Sequence, residues 1–153
     1  MTDFKQKAIG LGLCKPFQAS WNDDLVGMYK EGITWCIERQ YPTLEDMLPY
    51  DEMLLENDIY NSKHVDLILT GDTYILNECT GSAEIKDYNV SRLYVGLNSI
   101  LKINANGNSH LIIDCYDNSI IQLEISGKSK VTVWHYGNSV VQILKGNAKV
   151  TKK

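Results

Sequence analysis

The sequence predicts an α+β protein: an N-terminal helical segment capping a short C-terminal β-solenoid with coils of about twenty residues. Three observations point there. The apolar period shifts from three-and-four-residue steps to two near Val65. Ser99, Ser109, Ser119, Ser129 and Ser139 recur at ten-residue intervals, each followed by an alternating aliphatic run. Alternate ten-residue units also match each other better than neighbours do.

The helical part comes first. Thr2 is placed to cap a helix reaching Leu13, with Phe4, Ala8 and Leu11 on one side and Lys15-Pro16 ending it. A longer helix is expected after Asn22, with Asp23 and Asp24 in its first turn. Its apolar positions are Leu25, Met28, Tyr29, Ile33, Cys36 and Ile37, and Pro42 stops it. Thr43 and Asp46 have capping-box spacing and start a third segment, which Pro49 breaks before DEMLLENDIY. This region is assigned to residues 1–62 and the strand repeat to 65–150, together forming one folding unit.

Within the repeat, Leu101/Ile103, Leu111/Ile113, Ile121/Leu123, Val131/Val133 and Val141/Ile143 are aliphatic pairs on one face of successive strands. Aligning 100–119 with 120–139 matches Ile100 with Ile120, Gly107 with Gly127, Ser109 with Ser129, Tyr116 with Tyr136, and Asn118-Ser119 with Asn138-Ser139. A parallel solenoid with two strands per coil explains this match, because equivalent residues then stack about 4.8 Å apart in a shared environment. Before Ser99 the spacing loosens, so irregular coils are expected there. The alternative is an antiparallel meander, with Gly107-Asn108, Asp117-Asn118, Gly127-Lys128 and Gly137-Asn138 as hairpin turns.

Composition narrows the function classes. With 44% apolar and 22% charged residues the chain can bury a core. A net charge of -4 disfavours a nucleic-acid groove, which needs clustered Lys and Arg. No apolar stretch suits a signal peptide or a membrane span, so the expected location is the cytoplasm, or a virion that carries the protein out. Cys14, Cys36, Cys79 and Cys115 lack C-x-x-C spacing and read as reduced thiols.

No catalytic motif is present, and the carboxylates Asp114, Asp117 and Glu124 read as a solvated face. Cys115 and His135 fall one coil apart in the same inward column. They lack two further ligands, so a core thiol beneath a hydrogen-bonded histidine is preferred to a Cys/His metal-dependent enzyme. No cofactor or metal is assigned.

The outward positions carry the binding expectation. Ile100, Ile120 and Val140 form an apolar column on one face. Tyr116, Trp134 and Tyr136 cluster with Ile112 on the other. Self-association follows, with a trimer favoured, or contact with other structural proteins. The alternative is a cytosolic module that uses the aromatic face to bind a ligand or protein.

The segments NSIIQL and NSVVQI resemble the Asn-Ser strand repeats in the heads of trimeric autotransporter adhesins, although the spacing here is ten. More of the chain, KAIGLGLC (7–14), MYKEGITWCIERQYPT (28–43) and the Asn-Ser strands (98–141), resembles uncharacterised small proteins of Bacteroides-type gut bacteria and their phages or prophages. That resemblance implies a virion-associated or mobile-element protein and transfers no functional residues. Hexapeptide-repeat acyltransferases and bactofilins are also solenoids, but the first have a six-residue period and the second lack a helical preface.

Overall fold

The computed structural model describes residues 2–20 and 24–153, and the chain divides into two units, Met1–Asn57 and Asp58–Lys153. The Thr2 side chain, Asn22 and Asp23 lie outside what is described.

The first unit is helical: α1 (Thr2–Gly10), α2 (Lys15–Ser20), α3 (Leu25–Glu31), α4 (Ile33–Arg39), α5 (Leu44–Met47), a 3-10 turn (Leu48–Tyr50) and α6 (Asp51–Glu56). Three sequence expectations are corrected here. The first helix, α1, stops at Gly10, short of Leu13. Pro16 opens α2 instead of ending a helix, since the first turn of a helix needs no N–H from it. The helix expected from residue 23 is two helices that meet at Gly32, a weak helix former, and Asp24 is the N-cap of the first rather than part of its first turn. Its carboxylate accepts from the Val26 and Gly27 amides. The capping box at Thr43 and Asp46 forms as expected. Phe4 packs edge-on to Tyr50 at 5.6 Å, and its carbonyl accepts from the Tyr41 hydroxyl.

The second unit is a parallel β-solenoid of about five coils, and the antiparallel meander is thereby excluded. Its strands are β1 (Ile59–Asn61), β2 (His64–Leu69), β3 (Thr73–Asn77), β4 (Thr80–Ile85), β5 (Val90–Gly96), β6 (Ile100–Ala105), β7 (His110–Cys115), β8 (Ile120–Ile125), β9 (Lys130–His135), β10 (Val140–Lys145) and β11 (Lys149–Lys152). Odd-numbered strands form one sheet and even-numbered strands the other, each in sequence order. Strand structure therefore starts at Ile59, upstream of Val65.

Register explains the repeat. Ile100 pairs with Ile120 and Ile120 with Val140, a shift of one twenty-residue coil each time. The looser early spacing is real: His64 pairs with Thr80 and Thr73 with Arg92. The core between the sheets holds the aliphatic pairs read from the sequence through the β9 coil. It also holds a third inward position on β2, β4, β6 and β8, namely Leu69, Ile85, Ala105 and Ile125. A six-residue strand has three inward places, so this third column follows from strand length.

Candidate interaction surfaces

Three surfaces of the solenoid bear on function: the outer faces of the two sheets, and the coil formed by β10 and β11.

On the outer face of the odd-numbered sheet, Tyr94, Asp114 and Trp134 lie in one register column, with Arg92, Ile112 and Thr132 in the next. The Tyr116 and Tyr136 rings stack with centroids 4.5 Å apart and planes 6° from parallel, as their alignment one coil apart requires. The structure thus brings this pair together, but Tyr116 is only 7% exposed, so it offers little to solvent. Trp134 is half-buried, and the Lys153 ammonium sits 4.5 Å from the centre of its ring.

Asp114 was read from the sequence as part of a solvated face, and that expectation is wrong. Its side chain is 4% exposed, and Arg92 donates to it through Nε at 3.0 Å and Nη2 at 2.9 Å. The same guanidinium lies 5.1 Å from the Tyr94 ring centre. Burial raises the Asp114 carboxyl pKa, and the Arg92 charge opposes that rise. Sequence reading missed Arg92 and Tyr94 as its partners. The available signal was opposite charge at one coil plus two residues, which becomes visible once the coil length is assigned.

Cys115 and His135 do pair in register. Burial pushes the Cys115 thiol up to about 12, so it stays protonated at neutral pH. The thiol is core, as expected, but the hydrogen-bonded histidine is not: His135 Nδ1 is enclosed without a partner. In the next coil its register partner is Lys152, which carries no acceptor group on its side chain. Among the described residues, no cluster of three or more His, Cys, Asp or Glu side chains is placed to share a metal ion.

On the outer face of the even-numbered sheet, Ile100, Ile120 and Val140 form the expected column, with Ile100 and Val140 exposed and Ile120 half-buried. Polar ladders run beside it. Lys102 pairs with Glu124 at 3.3 Å, and Gln122 donates to Gln142 at 3.0 Å. The apolar strip is one residue wide.

The chain matches no protein-family model, curated protein or solved structure.

The β10–β11 coil differs from those before it. Ile143 lies in register with Leu123, which pairs with Ile103. Leu123 and Ile103 are fully buried, yet Ile143 is 42% exposed. Leu144 and Val150 are also exposed, and β10 and β11 are each paired along one side alone. A register shift between Ile143 and Lys145 bulges β10, a feature common on sheet edges. Lys145, Lys149 and Lys152, exposed on the same two strands, add positive charge beside this apolar patch, while Lys153 lies over Trp134, and residues 140–153 hold no carboxylate side chain. Among the described residues no helix is long and apolar enough to cross a membrane.

Proposed function

We propose that this chain is a non-enzymatic structural module that self-associates through its β-solenoid and serves as a virion-associated component of a phage or prophage. The observation that carries assembly is the β10–β11 coil, where a column buried in the preceding coils becomes solvent-facing at Ile143. Exposed aliphatic residues beside two unpaired strand edges favour a covering partner. The Ile100–Ile120–Val140 strip adds a second, narrower apolar surface.

The buried, ion-paired and stacked groups of the odd-numbered sheet support a structural role for that face. A ligand-binding role there would rest on Trp134 and Tyr136 without Tyr116, on a face where Lys153 already covers part of the indole. The phage setting rests on the resemblance of residues 7–14, 28–43 and 98–141 described above.

Light scattering coupled to size-exclusion chromatography tests assembly. The full chain is expected to run as an oligomer, a trimer being favoured, with mass rising with concentration toward a closed state. A monomer at every concentration up to the solubility limit would overturn the proposal.

A further inference from the structure

The helical unit carries a surface that complements the β10–β11 coil. Leu48 is 71% exposed on the 3-10 turn and Leu55 is exposed on α6. Glu52 lines one shallow hollow with Leu48 and lies three residues before Leu55 on α6, so it connects the two. Glu45 and Glu56, both exposed, add charge to its rim. Residues 1–57 as a whole hold ten acidic side chains against five basic ones.

Each surface therefore has an apolar centre, Leu48 and Leu55 on one and Ile143, Leu144 and Val150 on the other. Each also has a rim of one sign, carboxylates on the first and lysines on the second. This is the anatomy of a specific interface, in which apolar contacts supply affinity and opposed rims supply orientation. Two β10–β11 coils set against each other would instead oppose the six lysines at 145, 149 and 152 of the two copies, and lysine on an edge strand discourages such pairing.

Building on the self-association proposed above, we infer that copies join head to tail, with the β10–β11 coil of one copy seated on the Leu48–Glu52–Leu55 surface of the next. The contact is heterologous, because the two patches differ in chemistry. Such a contact closes into a ring or extends as a filament according to the rotation per copy.

Charge reversal tests the pairing in the full-length chain. Lys145→Glu/Lys149→Glu reverses one rim and Glu52→Lys/Glu56→Lys the other. All four residues are exposed, so the fold should survive, and circular dichroism with a urea midpoint checks that it does. Each double variant should assemble at least about tenfold more weakly than the wild type by light scattering, and the quadruple variant should recover assembly. Leu48→Ser, which changes no charge, should also weaken assembly. Added salt should weaken wild-type assembly and the recovered quadruple variant alike.

If the wild type assembles but the double variants do so equally well, or the quadruple variant fails to recover, the head-to-tail contact is wrong while self-association stands. A monomeric wild type would remove both.

Discussion

Ser99 ties two coil corners together. Its hydroxyl donates to the Gly96 carbonyl at 2.7 Å and accepts from the Cys79 amide at 2.9 Å, and its own amide donates to the Ser119 hydroxyl at 3.2 Å. Ser109, Ser129 and Ser139 likewise donate to the carbonyl three residues back. Serine suits this place because one small group is both donor and acceptor in a corner that is buried at Ser99, Ser109 and Ser139. Ser99→Ala should strand the buried Cys79 amide and cost about 1–3 kcal/mol in urea unfolding. An unchanged midpoint would show that the amide finds another partner. The serine spacing was legible in the sequence, but the partners of the hydroxyls were not, since they lie in a different coil. Asp114 shows the same limit: its carboxylate is outward in register yet enclosed, and its Arg92 partner comes from the preceding coil.

At the scale of elements, the corners set the coil. After each even-numbered strand of the regular coils the chain turns through a left-handed residue: Asp87 at φ 59°, Gly107 at 71° and Gly127 at 64°. A Cβ on Gly127 would lie 2.9 Å from the Gly107 carbonyl oxygen, so stacked corners leave no space for it. Gly127→Ala should therefore destabilise the solenoid by about 1–3 kcal/mol, read as a lower urea midpoint. No change would mean the corner relaxes freely. The Gly107–Gly127 match could be read as a turn signal from the sequence, but hairpin and solenoid corners use the same residues. Helix boundaries were less legible. Pro16 and Gly32 each have two local uses, to begin or end a helix and to bend or split one, and packing selects between them.

For the molecule as a whole, stability in a solenoid is distributed between neighbouring coils. The strands β6 to β9 have neighbours on both sides and fully buried aliphatic residues, whereas β10 and β11 have one neighbour and an exposed column. Amide hydrogen exchange on dilute protein should be slowest across β6 to β8 and fastest in β10 and β11. Equal protection of β10 and β8 would contradict this gradient. Charge is uneven at the same scale, acidic in residues 1–57 and basic in 140–153, an asymmetry that composition alone hides behind a net charge of -4.

By itself the sequence determined the helical start, the coil length, the inward aliphatic columns and the alignment of Tyr116 with Tyr136. All of these follow from local periodicity and from the rule that stacked coils place like on like. Tertiary structure decided which outward residues are truly outside. It buried Tyr116 and Asp114 and left Ile143 exposed in an otherwise inward column. The reason is that period reports the direction of a side chain relative to its own strand, whereas exposure depends on whether another part of the fold lies in that direction.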